Sequence, residues 1–322
     1  MRFVDMACIS TLSIYNSALF SNHKMKTTIA ALQFSVSENA EDNLRTAERM
    51  VRNAAANGAN VIVLPELFQS RYFCQEQKQK WFALAETVEE SHVVRRFAKL
   101  AGELGVVIPI SFFEHDRTNY NYYNSVAVAD ADGSILGTYR KTHIPQGDCY
   151  NEKYYFYPGN NDFEVFHTKF GKMGVLICWC QWNPEAARCL ALDGADFIVY
   201  PTAIGSEPAF PDGESYMHWA RTIQGHSAAN GIPIAVANRI GRECFGDSKI
   251  DFYGGSFITD NKGAIVAQVG GEPQKNGGVD PEPVYMKGHI KMVIDTEEND
   301  LFRAGWGLLR DRRPELYGRL VI

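Results

Sequence analysis

The sequence predicts an α/β fold in which two β-sheets of mixed strand direction lie inside and helices cover them. Three observations support this class: a strand–helix–strand pattern opens the regular part of the chain, apolar runs then alternate with helical periodicity, and two pairs of apolar runs flank short polar turns. Strand–helix–strand units make neighbouring strands parallel, whereas short turns make them antiparallel. The sheets are therefore expected to be mixed, with helices as the outer layers that bury their apolar faces.

The first unit spans residues 27–64. Residues 27–34 are an apolar run typical of a buried strand, and Asn39 is predicted to cap a helix because its side chain accepts hydrogen bonds from first-turn N–H groups. One face of this helix carries Leu44, Ala47, Met50, Val51, Ala54 and Ala55. Gly58 is expected to end the helix, and residues 61–64 are a second apolar run. Together they predict a βαβ unit.

The same signals predict the remaining elements. Further helices are predicted over residues 93–104, 185–192 and 217–230. Further strands are predicted over residues 106–113, 174–177, 197–200, 234–237 and 288–294. Hairpins are predicted from strands 124–129 and 134–139, and from strands 255–259 and 264–269. Residues 270–283 are predicted to be a surface loop, and residues 1–24 an unstructured extension before a single domain over residues 25–322.

Composition and charge exclude several classes of protein. Hydrophobic residues make up 45% of the chain and charged residues 22%, which is enough apolar material for a sizeable core. The net charge of −6 gives no electrostatic footprint for nucleic acid. No apolar run approaches the ~20 residues that a membrane-spanning helix needs. We therefore expect no nucleic-acid partner and no membrane partner.

The seven cysteines indicate free thiols. Their number is odd and their spacing irregular, so we expect reduced thiols in a reducing, cytoplasmic compartment. Cys178 and Cys180 form a C-x-C pair, but the sequence shows no second pair of cysteines or histidines to complete a four-ligand zinc site. No metal site is therefore predicted.

Three segments place a reactive side chain just after a predicted strand, where ligands bind in open α/β sheets. Glu66 follows the run 61–64, Lys141 follows the second strand of the first hairpin, and Cys178 follows the strand 174–177. The glycine-rich dinucleotide and phosphate-loop motifs are absent, and so is the G-x-S-x-G serine motif. The chemistry of this chain is therefore expected at these three strand ends.

Each of the three residues also has a structural interpretation. Glu66 alone fits a solvated loop carboxylate, Lys141 a charged strand end, and Cys178 a small buried hydrophobe. Together they supply a base, a cation and a nucleophile, which is the set that a nucleophilic hydrolase needs. Cys178 also shortly precedes a helix, whose N-terminus is expected to lower the thiol pKa.

The three segments, in this order, resemble the motifs of the nitrilase (carbon–nitrogen hydrolase) superfamily. The matching motifs are P-E-x-x at Glu66, K-x-H-x-P at Lys141, and a Cys six residues before a P-E pair at Cys178. A fourth motif, a Glu before an aromatic stretch and P-G, is matched by Glu152. The resemblance spans nearly everything from Met25 to the C-terminus.

This resemblance implies a four-layer α-β-β-α sandwich and a thiol amidohydrolase. It implies Glu66 as general base, Lys141 with the Trp179 backbone N–H as donors to the oxyanion, Cys178 as nucleophile, and Glu152 as the residue that places Lys141. No metal or organic cofactor is implied. The superfamily pairs its sandwiches, so a homodimer or larger homo-oligomer is expected.

Within the superfamily, the chain is most similar to N-carbamoylputrescine amidohydrolases, which implies a small carbamoylated amine as substrate. The similarity lies around Cys178, over residues 200–208 and over residues 306–317. Glu207 is then expected to bind the ammonium tail, with Tyr72 and Trp179 as walls for the aliphatic stem. The structural interpretations are a surface acid for Glu207 and core aromatics for the other two.

Two departures and two rival functions accompany this prediction. The family usually carries an acid at position 180 and an aromatic at position 183, where this chain has Cys180 and Asn183. A reduced activity or a rearranged loop is the expected consequence. One rival function is a related enzyme, namely a β-ureidopropionase, an N-carbamoyl amino acid hydrolase or an aliphatic amidase. The other is a non-catalytic binding or scaffold protein with the same fold.

Overall fold

The computed structural model describes residues 26–207, 215–270 and 286–321. The predictions for residues 1–24 and for most of the loop at 270–283 lie outside these ranges, so the extent of the domain stays a prediction. Within them, two mixed β-sheets pack between helices, and the predicted four-layer α-β-β-α sandwich is confirmed.

The first sheet has six strands in the order β14-β1-β2-β3-β4-β5. Its strands are β1 (Lys26–Gln33), β2 (Val61–Val63), β3 (Ile108–Asp116), β4 (Asn121–Ala129), β5 (Ile135–Arg140) and β14 (Gly288–Asp295). Strands β1 and β2 are parallel, as the βαβ pattern predicts, and β4–β5 is the predicted antiparallel hairpin. Hydrogen bonds of Val107 with Asn60 and Ile62 join β2 to the segment before β3, so the sheet is continuous.

The second sheet also has six strands, in the order β13-β12-β9-β8-β7-β6. Its strands are β6 (Val165–Thr168), β7 (Gly171–Val175), β8 (Phe197–Thr202), β9 (Ile234–Asn238), β12 (Phe257–Thr259) and β13 (Ile265–Gln268). Strands β7, β8 and β9 are parallel to one another, and the hairpin β12–β13 is antiparallel as predicted. A separate hairpin, β10 (Ile240–Phe245) with β11 (Ser248–Tyr253), follows β9 directly.

Four of the six helices described lie where periodicity predicts them, and the other two are additions. They are α1 (Ala40–Ala56), α2 (His92–Leu104), α3 (Glu152–Tyr155), α4 (Pro184–Leu192), α5 (Ser215–Asn230) and α6 (Thr296–Trp306). The side chain of Asn39 accepts hydrogen bonds from the N–H groups of Glu41 and Asp42, which confirms the predicted cap. The sequence-based prediction missed α3, α6, the hairpin β10–β11 and the short strand β6.

Alternation along the strands divides the core between layers. In β1, Ile29 and Ala31 belong to the apolar cluster that includes the residues of the second sheet, whereas Ala30 and Leu32 belong to the cluster that includes α1 and α2. This period of two is what a strand buried on both faces requires. A third cluster, rich in aromatic rings, contains Tyr72.

No helix in the described ranges is both long enough and apolar enough to cross a membrane.

Candidate active site

The structure brings the three predicted strand-end residues to one buried place. Glu66 follows β2, Lys141 follows β5 directly, and Cys178 follows β7. The Lys141 Nζ lies 2.8 Å from Glu66 Oε1 and 2.7 Å from Glu152 Oε2. Cys178 and Glu152 line one cavity, and the charges of Glu66, Lys141 and Glu152 all act on the Cys178 thiol. Residues that are far apart in the sequence therefore form one buried cluster of a thiol, an ammonium and two carboxylates.

The carboxylate of Glu66 is bonded on one oxygen and open on the other. Its Oε1 accepts hydrogen bonds from Lys141 Nζ at 2.8 Å and from Asn124 Nδ2 at 2.6 Å. Its Oε2 is buried and has no hydrogen-bond partner within the part of the chain that the structure describes. A buried carboxylate oxygen that lacks a donor is well suited to accept a proton from a neighbouring group.

The carboxylate of Glu152 joins Lys141 to Tyr72. Its Oε2 accepts from Lys141, and its Oε1 accepts from the Tyr72 hydroxyl at 2.6 Å. Burial raises the pKa of Glu152 most, and the nearby charge of Glu66 adds to this, while Lys141 opposes both. Both oxygens of Glu152 are therefore engaged, and one of them fixes the position of the Lys141 ammonium.

Lys141 keeps its charge although it is completely buried. Burial alone would lower the pKa of the ammonium, but the carboxylates of Glu152 and Glu66 outweigh it and raise the pKa well above its usual range. Two of its three N–H bonds point to these carboxylates. The third N–H has no acceptor among the described residues.

Cys178 lies on a strained turn. Its φ of +40° is in the left-handed region, which non-glycine residues rarely adopt, and such strain is concentrated at functional sites. The residue begins the 3₁₀ helix Cys178–Trp182, so the Trp179 N–H has no acceptor inside that helix. The turn thus presents the sulfur next to a backbone donor.

The thiol of Cys178 is protonated in this resting site. Burial raises its pKa well above the usual range, and the charge of Glu66 raises it further, while Lys141 lowers it by less. The expectation that a helix N-terminus lowers this pKa is therefore wrong. Burial is the reason, because the thiol lies below the surface with only 6% of the residue exposed, and α4 begins only at Pro184.

A cavity of about 60 Å³ opens onto the sulfur. Its described lining consists of Pro145, Gln146, Gly147, Tyr150, Glu152, Cys178, Trp179, Ala203, Ile204 and Glu207. Burial raises the pKa of the Glu207 carboxyl. The cavity therefore runs from Cys178 and Glu152, which are buried, to Glu207 and Trp179, which are partly exposed or exposed.

The two predicted wall residues differ in position. Trp179 is among the lining residues and is 41% exposed. Tyr72 is completely buried behind Glu152 and is not among the described lining residues, so its hydroxyl serves the carboxylate and its ring does not line the cavity. Tyr150, which sequence reasoning missed, lines the cavity instead, and its ring lies 5.7 Å from that of Tyr72.

The departures at positions 180 and 183 leave the loop ordered by other contacts. The Cys180 Sγ is buried 3.2 Å from the Tyr139 hydroxyl, and the Cys180 N–H donates to Ile177 O. Asn183 Nδ2 lies 3.4 Å from Trp179 O. The ring of His143, two residues after Lys141, stacks near Phe163, and its Nδ1 has no hydrogen-bond partner among the described residues.

Among the described residues, no three His, Cys, Asp or Glu side chains lie together in a way that could hold a metal ion. The side chains of this site can themselves transfer a proton, attack with sulfur and stabilise an anion with an ammonium.

Comparisons with known proteins agree with this geometry. The family model described as "Carbon-nitrogen hydrolase" matches residues 28–276. A curated protein of Solanum lycopersicum, "N-carbamoylputrescine amidase", is 49% identical over 298 residues, which are 91% of this chain and 94% of that protein. The "Citrullinase" of Francisella tularensis is 47% identical over 293 residues, covering 91% and 97%.

A solved structure gives the same result at the level of the fold. The carbon–nitrogen hydrolase of Helicobacter pylori superposes with a TM-score of 0.82 at 33% identity, over 92% of this chain and 99% of that one. The family match covers most of the chain, and the relatives extend over almost its whole described length. The chain therefore belongs to the carbon–nitrogen hydrolase family and is a hydrolase of C–N bonds.

Proposed function

We propose that this chain hydrolyses N-carbamoylputrescine to putrescine, ammonia and carbon dioxide, with Cys178 as the nucleophile. The observation that carries the proposal is a single cavity that joins the Cys178 thiol to a carboxylate, Glu207, suited to a cationic tail. The similarity to plant N-carbamoylputrescine amidases at 46–49% identity supports the choice of substrate.

The first half of the reaction forms a covalent intermediate. Glu66 Oε2 takes the Cys178 thiol proton, and the sulfur attacks the ureido carbon. Lys141 Nζ and the Trp179 N–H donate to the oxyanion, and one such donor is worth about 3 kcal/mol. Glu66 then gives its proton to the departing nitrogen, the C–N bond breaks, and ammonia leaves a carbamoyl group on the sulfur. A protonated resting thiol is what makes the base necessary.

The second half releases the amine. Glu66 takes a proton from a water molecule, whose oxygen attacks the same carbon. The C–S bond breaks, and the proton returns to the sulfur. The product is an N-substituted carbamic acid, which loses carbon dioxide to give the free amine. Thiol and carboxylate end in their starting states, so no further reactant is needed.

The outer part of the cavity favours a substrate with a positive end. Glu207 is the acid there, and the described lining contains no Lys, Arg or His. Tyr150 and Trp179 offer apolar ring surface to an aliphatic stem of a few carbons. A tail that ends in an ammonium therefore finds a partner among these residues, whereas a carboxylate would face Glu207 without a compensating cation.

Citrulline is the second candidate substrate, because the Francisella relative of similar identity is a citrullinase. Citrulline has the same ureido group but carries a carboxylate beside its ammonium. The lack of a cation among the described lining residues makes it the weaker candidate.

The experiment is ammonia release from a panel of carbamoylated compounds by the full chain. N-carbamoylputrescine, citrulline, N-carbamoyl-β-alanine and N-butylurea share the ureido group and differ in the length of the stem and in the charged groups on the tail. We expect the highest kcat/KM for N-carbamoylputrescine and no activity in Cys178→Ala. A preference for citrulline or for N-carbamoyl-β-alanine would contradict the proposed substrate, and activity in Cys178→Ala would contradict the proposed nucleophile.

We also propose a homo-oligomer in the cytoplasm. Large apolar side chains are exposed in the last described segment, 286–321, which supports association: Val293, Leu301, Trp306, Leu316 and Leu320. The six described cysteines are free thiols, which supports a reducing compartment. Light scattering coupled to size exclusion tests the first point, and a monomer at micromolar concentration would contradict it.

A further inference from the structure

A buried ion pair lies beneath the segment that carries Glu66, and the proposed mechanism does not use it. Arg239, between β9 and β10, and Glu243, in β10, have side chains that are 0% and 2% exposed, and their Nη1 and Oε1 atoms lie 2.8 Å apart. A charged pair at this depth loses its hydration, and the attraction between the two charges seldom returns more than this costs. Its presence therefore points to a role beyond the stability of the pair itself.

Arg239 binds the backbone beside the proposed base. Its Nη2 donates to Glu66 O at 2.6 Å and to Leu67 O at 3.0 Å. Its Nη1 donates to Ser70 O at 3.3 Å as well as to Glu243. The two nitrogens of one guanidinium thus hold three carbonyl groups of the segment 66–72, which a fixed planar fork can do and a single ammonium cannot.

Glu243 holds the other end of the same segment. Its Oε1 accepts from Arg239, and its Oε2 accepts from the Tyr72 N–H at 2.6 Å. Tyr72 in turn donates its hydroxyl to Glu152. The ion pair is therefore linked through the backbone to both carboxylates that contact Lys141.

The segment needs such support because its backbone is strained. Leu67, the residue after Glu66, has a φ of +46°, in the left-handed region that non-glycine residues avoid. Strain of this kind persists only where surrounding contacts over-determine the conformation. The Arg239 bonds to Glu66 O and Leu67 O flank this residue on both sides. Releasing them would let the backbone relax and the Glu66 carboxylate turn away from the sulfur.

We propose that Arg239 and Glu243 are positioning residues that hold the segment 66–72 so that the Glu66 carboxylate stays on Lys141 and near the Cys178 thiol. The inference rests on the proposed function, in which Glu66 is the base. Neither residue touches the substrate. Their effect is on the rate of proton transfer, because a displacement of about 1 Å in a catalytic group can cost about 100-fold in rate.

The test is Arg239→Lys in the full chain. Lysine keeps the charge opposite Glu243 but cannot reach Glu66 O and Leu67 O with a second nitrogen. We expect kcat for N-carbamoylputrescine to fall about 10- to 100-fold per active site, while KM stays within about twofold of the unaltered enzyme. Folded active sites are counted as the fraction of protein that elutes with the unaltered enzyme on size exclusion and keeps its near-UV circular dichroism.

This count separates positioning from folding. A merely structural role would lower the folded fraction and leave kcat per folded site unchanged. Arg303→Lys is the matched control, because Arg303 is also mostly buried and also binds a backbone carbonyl, Ala195 O, and a carboxylate, Asp300, but on α6. We expect its kcat per site to equal that of the unaltered enzyme.

Glu243→Gln is the second variant, and it tests the positioning role if Arg239→Lys does not fold. Glutamine keeps one acceptor for Arg239, but its amide nitrogen then meets the Tyr72 N–H, so one of the two bonds is lost. A folded variant of either kind with unchanged kcat per site would overturn the inference. Unchanged kcat per site overturns the positioning role alone when Cys178→Ala is inactive in the same assay. If Cys178→Ala is active, the proposed function itself fails.

Discussion

The inner and outer parts of the cavity are built in different ways. At the inner part, Lys141 contacts Glu66 and Glu152, which receive further bonds from Asn124 and Tyr72. At the outer part, the lining residues Gln146, Gly147, Tyr150, Trp179 and Glu207 are all partly exposed or exposed. The inner part is therefore fixed by burial and hydrogen bonds, whereas the outer part has more freedom to change.

This difference offers an explanation of how similar chains act on different substrates. The N-carbamoylputrescine amidase of Solanum lycopersicum and the citrullinase of Francisella tularensis match this chain at 49% and 47% identity. Both names describe the hydrolysis of a ureido group, and the two substrates differ in the tail. We therefore expect substitutions in the inner part to change kcat and substitutions in the outer part to change KM.

The largest effect is expected from Glu66→Gln. The glutamine oxygen can still accept from Lys141 and Asn124, but an amide nitrogen replaces Oε2 and cannot take a proton. We expect kcat for ammonia release to fall by roughly 1,000-fold with little change in KM. Glu48→Gln, which alters a partly buried acid paired with Arg96 on the surface, is the control and should keep full activity. If Glu66→Gln kept the kcat of the unaltered enzyme, Glu66 would not be the base, and the inner part would not control kcat as proposed.

The next effect is expected from Glu207→Gln, at the outer part. A hydrogen bond to a charged group is worth about 1.5–3 kcal/mol, so we expect KM for N-carbamoylputrescine to rise about 10- to 100-fold while kcat stays nearly constant. N-butylurea, which has the same stem without the ammonium, should show an unchanged KM. Equal changes for both substrates would show that Glu207 shapes the cavity and does not bind the cation.

A smaller effect is expected from Tyr72→Phe, which tests whether the inner part depends on the hydrogen bond from the Tyr72 hydroxyl to Glu152. The change removes only the hydroxyl that donates to Glu152, while the ring stays against Tyr150 and Phe252. Because the effect reaches Lys141 indirectly, we expect kcat to fall about tenfold. The control is Tyr155→Phe, which removes a hydroxyl bonded to Glu76 O. A similar loss in both variants would point to general destabilisation.

The smallest effect is a pH dependence confined to the outer part. Burial raises the pKa of Glu207 above its ordinary value of about 4.5, so its charge is lost at a higher pH than that of an exposed Glu. As the pH falls toward this raised pKa, we expect KM for N-carbamoylputrescine to rise a few-fold. KM for N-butylurea should stay level, and Glu207→Gln should remove the difference. A parallel rise for both substrates would place the titrating group in the inner part.

Much of the fold follows from local patterns in the sequence, and the exceptions have physical reasons. The hairpin β10–β11 was missed because Glu243 breaks the apolar alternation expected of a buried strand. Its burial makes sense only next to Arg239, which the structure alone reveals. By contrast, α6 had a readable signal, since Asp295 caps it and acids occupy its first turn.

The site likewise combines residues that local sequence motifs reveal with residues that only the folded structure reveals. Glu66, Lys141, Glu152 and Cys178 were identified from motifs, because each motif is local in the sequence. Asn124 and Arg239 carried no local signal, since Asn124 lies 58 positions and Arg239 173 positions from Glu66, and their contacts exist only after the strands assemble. The thiol pKa was mispredicted for the same reason, because burial depends on the whole fold.

The central claim is that the open oxygen of Glu66 activates the thiol of Cys178. It is tested most directly by the rate of chloroacetamide alkylation at each cysteine, followed by peptide mass spectrometry in the unaltered enzyme and in Glu66→Gln. The account predicts that Cys178 reacts fastest in the unaltered enzyme and about 100-fold more slowly in the variant, while the exposed thiol of Cys244 reacts equally in both. A Cys178 rate that matches the other thiols, or that is unchanged in Glu66→Gln, would contradict it.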